Sequence, residues 1–164
     1  MLVLLVVFVG GGVVALGFGW ATRPIAFSPA REAPTSKTFN QMVNEALAVV
    51  PTISPAEAHQ MMQADSNTLV VDVRDAADIP VTGIIPGAVN VSLGTLAYKA
   101  DNAVPPEWRD PHFADRSRPI ITTCETGEMA ALAGKLLKDM GFTNVHILKG
   151  GTAAWMGAAK RELP

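Results

Sequence analysis

A single cysteine, Cys124, stands in a chain of 164 residues. That scarcity excludes an internal disulfide, a Cys-x-x-Cys redox pair and a thiolate zinc site. Histidine is also sparse: His59, His112 and His146 are scattered, and none sits at ligand spacing from another. Charge of one sign is lacking too. Thirteen basic and fifteen acidic side chains leave a formal net charge of −2. No basic stripe asks for nucleic acid, and no acidic tail asks for a basic partner. Internal repeats and low-complexity tracts are absent. The length suits one domain of ordinary size plus an appendage. A lone thiol then has two readings, a nucleophile or an inert buried residue.

The first stretch lacks charge altogether. Residues 1–22, "MLVLLVVFVGGGVVALGFGWAT", carry no charged side chain. Their length matches the roughly 20 apolar residues that cross a bilayer as a helix. Trp20 sits where an interfacial aromatic sits, and Arg23 follows. The expectation is a transmembrane-like helix acting as a membrane anchor. A cleaved signal peptide, giving a secreted or periplasmic product, and a start-site artefact, with the true start downstream, are the alternatives. A basic n-region and a shorter apolar core would mark a signal peptide, and both are lacking. Arg23, Arg31 and Lys37 lie beyond the segment and no basic residue precedes it, which places the remaining chain in the cytoplasm. A free thiol suits that reducing compartment.

Residues 23–36 hold three prolines in the stretch "RPIAFSPAREAPTS" and read as a linker. Over residues 37–51, Phe39, Met42, Val43, Ala46, Leu47 and Val50 recur at helical spacing, and Pro51 closes this leading helix. Ser54 and Pro55 then give an N-cap and a first helical position. "NTLVVDV" (Asn67 to Val73) reads as a strand buried on both faces. Ile85 to Ser92 reads as a turn and a second strand, and "SLGTLAYKA" as a short helix. A proline-rich loop follows, which Trp108 and Phe113 are expected to pin to the body. "PIITT" and "NVHIL" are two further strands. Between them lies a helix with a stripe of Met129, Leu132, Leu136 and Met140, stopped by Gly141. A last helix carries Trp155. Strands alternating with helices predict an α/β fold with a mostly parallel sheet. In such sheets a site forms past the carboxyl ends of the strands, where Cys124 stands. Gly127 permits a tight turn there. On one reading its amides and the first N–H groups of the following helix make an anion-binding concavity, which favours a thiolate; on the other, Gly127 is only a turn residue and Cys124 only a strand-end hydrophobe.

Four segments carry a family resemblance: "LVVDVRD" (69–75), "GIIPGAVNV" (83–91), "CETGEMA" (124–130) and "MGFTNVHILKGGTAAW" (140–155). In order and spacing they resemble the motifs of a single-domain rhodanese, over about residues 52–160. The resemblance implies a rhodanese-like domain over 52–164, a central parallel sheet flanked by helices. It also implies a sulfurtransferase or persulfide carrier with no cofactor and no metal. In that role Cys124 attacks a sulfur donor, becomes a persulfide, and passes the outer sulfur to a thiol or cyanide. The donor and acceptor partners are small molecules or proteins. The backbone amides of Glu125, Thr126, Gly127, Glu128 and Met129 would form the substrate cradle. Asp72 and Arg74 would form a structural ion pair near the loop. Gly150 and Gly151 would let the last helix start close to the sheet.

Three departures matter. Many members have arginine where Met129 stands, and histidine where Ile84 stands. Glu125 and Glu128 make the loop acidic. At roughly 7 Å and an effective dielectric of about 40, each opposes a thiolate by about 1.2 kcal/mol. A helix N-terminus returns about 0.3–2 kcal/mol. A rhodanese-like protein-binding module with little turnover is therefore the competing class. A phosphatase of this fold would need an arginine at position 130, to hold phosphate bidentately, and Ala130 stands there.

Overall fold

The computed structural model describes residues 36–162 of the chain. The hydrophobic stretch 1–22, and all but the last residue of the linker 23–36, lie outside the described residues. Among the described residues, no helix is long and apolar enough to cross a membrane.

Two helices begin on reciprocal caps. In α1 (Phe39–Val49) the Thr38 hydroxyl accepts from the Gln41 N–H, while the Gln41 side chain accepts from the Thr38 N–H. In α2 (Pro55–Ala64) Ser54 and Glu57 do the same, with Pro55 in the first turn. Each cap satisfies two N–H groups that a helix start leaves without a partner.

Five parallel strands form one sheet. They are β1 (Thr52–Ile53), β2 (Leu69–Asp72), β3 (Val89–Asn90), β4 (Ile120–Thr123) and β5 (Val145–Leu148), in the order β1-β5-β4-β2-β3. The remaining helices are α3 (Ile79–Thr82), α4 (Leu93–Lys99), α5 (Glu128–Asp139) and α6 (Gly151–Glu162). Two of the three interior strands, β2 and β4, are buried along their whole length. Both faces are covered, which is why these strands read as near-continuous apolar runs. Successive side chains point to opposite faces. Val71, Ile120 and Ile147 join a core with α1, α4 and α5. Val70, Ile121 and Leu148 join a second core with Ala58 of α2 and Trp155 of α6.

One strand is not expected from the sequence. β1 is a two-residue edge strand paired with β5 at Thr52↔Ile147, where the sequence shows only the approach to a helix. Its length is below any detectable periodicity. The stretch after Arg74 also folds, into a 3-10 turn (Ala76–Asp78) running into α3.

Two expectations about packing need correction. The stripe of Met129, Leu132, Leu136 and Met140 is only half-buried against the core. The deeply buried positions of α5 are Ala130, Ala131, Ala133, Gly134 and Leu137. Small residues win because the helix lies so close to its neighbours. A Cβ on Gly134 would meet Val50 at 3.2 Å and Ile147 at 3.3 Å. In the long loop, Phe113 is fully buried edge-on against Phe142, with centroids 6.1 Å apart. Trp108 is 61% exposed and pins nothing.

Candidate active site

Cys124 follows directly on the last residue of β4. The register places Asp72 of β2 beside Thr123, and the Val73 N–H donates to the Thr123 carbonyl at 2.9 Å. Parallel pairing therefore delivers Cys124 and Arg74 to the same edge of the sheet, although fifty residues separate them. The chain then turns through Gly127, whose φ of +116° is left-handed, and enters α5. Only glycine takes that conformation at little cost. The Gly127 N–H donates to the Cys124 Sγ at 3.1 Å. Cys124 itself is 3% exposed.

The loop is held from below by α6. At a helix start the first N–H groups lack intrahelical acceptors. Here the Thr152 N–H donates to the Cys124 carbonyl at 2.8 Å and the Ala153 N–H to the Glu125 carbonyl at 3.1 Å. Such bonding needs a very close approach, and Gly151 provides it. A Cβ at Gly151 would stand 2.4 Å from the Cys124 carbonyl oxygen. Gly150 precedes it with φ +71°. Thr123 and Thr152, both fully buried, share a hydroxyl contact at 3.2 Å beneath the loop.

Asp72 and Arg74 form a buried ion pair on the flank of the site. Arg74 Nη2 donates to Asp72 Oδ2 at 2.6 Å and Nε to Oδ1 at 3.0 Å. Nη2 also donates to the Gly83 carbonyl at 2.8 Å. Nη1 donates to the Thr82 hydroxyl and, at 3.0 Å, to the Glu125 carboxylate. The Asp72 bond above all holds the guanidinium protonated beyond its ordinary range, against the opposing effect of burial.

A cavity of about 410 Å³ opens over this edge. Arg74, Cys124, Glu125, Thr126, Glu128 and Met129 line it from the sheet side, and Phe39, Asp78, Val81 and Thr82 complete the rim. Four of the five expected cradle residues, Glu125, Thr126, Glu128 and Met129, line the same cavity as Cys124, and Gly127 does not. Gly127 contributes its N–H to the sulfur from behind. Gly150 and Gly151 lie beneath the loop.

The two loop carboxylates are unequal, which local sequence does not reveal. Glu125 is not a free charge: it accepts from Arg74 and, at 3.1 Å, from the Thr82 hydroxyl. Glu128 is exposed in the first turn of α5. Its bond from the Thr126 hydroxyl keeps its carboxyl below the usual range. Asp72 and Glu125 share the one Arg74 charge, so the trio keeps one negative charge beside the loop, and Glu128 adds another that solvent screens. Thr82, Asp78, Val81 and Phe39 are site residues that sequence reasoning missed. No motif marks them, and only the fold of the 3-10 turn and α3 brings three of them to the mouth. Among the described residues, no cluster of His, Cys, Asp or Glu is placed to hold a metal ion.

Comparison with known proteins agrees with this geometry. The chain is 32% identical over 88 residues to the Rhodanese domain-containing protein CG4456 of Drosophila melanogaster, a match spanning 52% of this chain and 79% of that one. It is 32% identical over 96 residues to the thiosulfate sulfurtransferase GlpE of Shewanella oneidensis, covering 58% and 82% of the two chains. Against the adenylyltransferase and sulfurtransferase UBA4 of Meyerozyma guilliermondii, 31% identity over 100 residues spans 61% of this chain but only 23% of that protein. Among solved structures, RPA3614 of Rhodopseudomonas palustris superposes with a TM-score of 0.70 at 28% identity, over 79% of this chain and 96% of that one. That protein is of unknown function and a possible tyrosine phosphatase. Here the position a phosphate-binding arginine would need is the fully buried Ala130. The Rhodanese-like domain profile matches residues 54–158, more than half of the chain. With a cysteine loop at the carboxyl edge of a parallel sheet and relatives that are sulfurtransferases, the chain belongs to the rhodanese-like family.

Proposed function

We propose that the protein transfers sulfane sulfur through a persulfide on Cys124. One observation carries the reading: the only thiol of the chain lines the cavity and accepts the Gly127 N–H at 3.1 Å. That N–H holds the sulfur at the cavity edge, directly before the start of α5.

The step balances without an oxidant. The Cys124 thiolate attacks the sulfane sulfur of the donor, and a new S–S bond forms. The bond from that sulfur to the rest of the donor breaks, and its electron pair leaves with the departing group, which is sulfite when thiosulfate is the donor. In the second half, an acceptor thiolate or cyanide attacks the outer sulfur and Cys124 departs as thiolate. The extra charge stays on the outer sulfur between the two halves, next to the Sγ that accepts the Gly127 N–H.

Mass spectrometry after incubation with a sulfur donor tests the proposal. The protein should gain one sulfur, about 32 Da, on Cys124, and Cys124→Ser should gain none. Uptake of sulfur by the variant, or no uptake by the natural protein from several donors, leaves the binding-module reading in its place. We further propose that residues 1–22 anchor the protein to a membrane with the domain on the cytoplasmic side. The uncharged run and the basic residues Arg23, Arg31 and Lys37 beyond it support this. Deleting residues 1–22 should release a folded protein from the membrane fraction. A full-length protein found with the soluble fraction would refute the anchor.

A further inference from the structure

A guanidinium has five N–H donors, and in Arg74 each has a partner. Nε bonds Asp72, Nη2 bonds Asp72 and Gly83, and Nη1 bonds Thr82 and Glu125. Four of these bonds go to three framework residues, Asp72, Thr82 and Gly83. The fifth goes to Glu125 on the cysteine loop, whose side chain is 45% exposed while that of Arg74 is 4% exposed. Among the described residues, Arg74 is the only basic one that lines the cavity, against the acids Asp78, Glu125 and Glu128. A doubly charged sulfur donor entering here finds no free cation among them. To engage Arg74 it must displace a carboxylate already in a charge-assisted bond.

Resting on the sulfur-transfer reading above, we infer that Glu125 is a specificity-determining residue. By filling the last donor of Arg74, it turns the cavity against dianionic donors and toward donors with one charge or none and an apolar body. Phe39 and Val81, 47% and 81% exposed at the rim, and Met129 supply the apolar contact. Discrimination of this kind works by withholding an attraction and adding a repulsion against the wrong partner.

Two donors of almost the same shape make the test. Thiosulfate carries two negative charges. Methanethiosulfonate replaces one oxygen with a methyl group and carries one. Each gives up its sulfane sulfur to a thiolate, with sulfite or methanesulfinate leaving. The quantity measured is the ratio of kcat/KM for thiosulfate to that for methanethiosulfonate, at low salt. In Glu125→Ala this ratio should rise at least ten-fold, mostly through KM for thiosulfate. In Glu128→Ala, which removes an exposed charge without freeing Arg74, it should rise by less than a third of that factor. A ratio in Glu125→Ala within two-fold of the natural protein overturns the inference. Equal effects of the two variants overturn it as well, since general charge near the loop would then suffice. Failure of the sulfur-transfer reading is a separate outcome: no sulfur would appear on Cys124 of the natural protein with either donor.

Discussion

Replacing Gly151 with alanine tests the crossing on which the site is built. The new Cβ would lie 2.4 Å from the Cys124 carbonyl oxygen, 2.6 Å from the Glu125 oxygen and 2.7 Å from the Glu125 carbonyl carbon. All three are backbone atoms, so no side chain can swing away. Alanine at φ +60° also carries a conformational cost of about 1–2 kcal/mol. Overpacking adds about 1–3 kcal/mol, giving about 2–5 kcal/mol together. Gly87→Ala separates the two contributions. Gly87 has φ +80° but nothing within 4 Å of its virtual Cβ, so only the first cost applies. Urea unfolding should therefore show Gly151→Ala less stable than Gly87→Ala by about 1–3 kcal/mol, with unchanged slope. The loop must also lift away from α6, loosening the bonds from Thr152 and Ala153. Iodoacetamide should then alkylate the buried Cys124 several-fold faster in Gly151→Ala than in Gly87→Ala. Equal stability of the two variants, with equal alkylation, would refute the argument that this helix start positions the cysteine loop.

Two other outcomes follow from burial. Phe113→Ala removes a fully buried ring packed on Phe142 and should cost about 3–5 kcal/mol in urea unfolding. Trp108→Ala, at an exposed site, should stay within about 0.5 kcal/mol of the natural protein; the reverse order would refute the packing described for the loop. His146 Nδ1 is buried without a hydrogen-bond partner, and burial pushes its pKa down. The folded state thus keeps His146 neutral, while the unfolded chain binds a proton near pH 6.5. Its contribution is complete above about pH 6.5 and is lost as pH falls through the depressed folded value. His146→Leu should flatten the decline in stability between pH 7 and about 5.5; an unchanged pH profile would show that another group causes it.

The architecture was legible wherever a segment was long and one-sided in chemistry. Val70 and Val71 announce a strand covered on both faces, and Ser54-Pro55 announces a helix start. Cys124 and Gly127 were legible because a strand-to-helix turn leaves its own composition. What escaped depends on contacts between distant segments. The Arg74–Glu125 bond joins residues 51 apart in sequence, and nothing near either predicts it. From the sequence, Glu125 and Glu128 look equivalent; the fold gives one a buried arginine and leaves the other in solvent. The core face of α5 was misplaced for a related reason. Hydrophobic periodicity weighs large side chains, whereas close approach to β4, β5 and α1 selects alanine and glycine. β1 escaped because two residues display no period.

The solitary thiol has a kinetic consequence. On the proposed sulfur-transfer reading, a persulfide on Cys124 would find no second cysteine in the sequence to resolve it, so release would require another molecule. Donor and acceptor would then take turns at one sulfur atom, and neither is present when the other reacts. Initial rates should therefore follow a ping-pong scheme, with parallel double-reciprocal lines and inhibition by excess acceptor occupying the empty mouth. The rim formed by Phe39, Val81 and Met129 has to admit both substrates in succession. A change there should move the Michaelis constants of both, whereas a change confined to the Arg74–Glu125 bond should move only that of the donor.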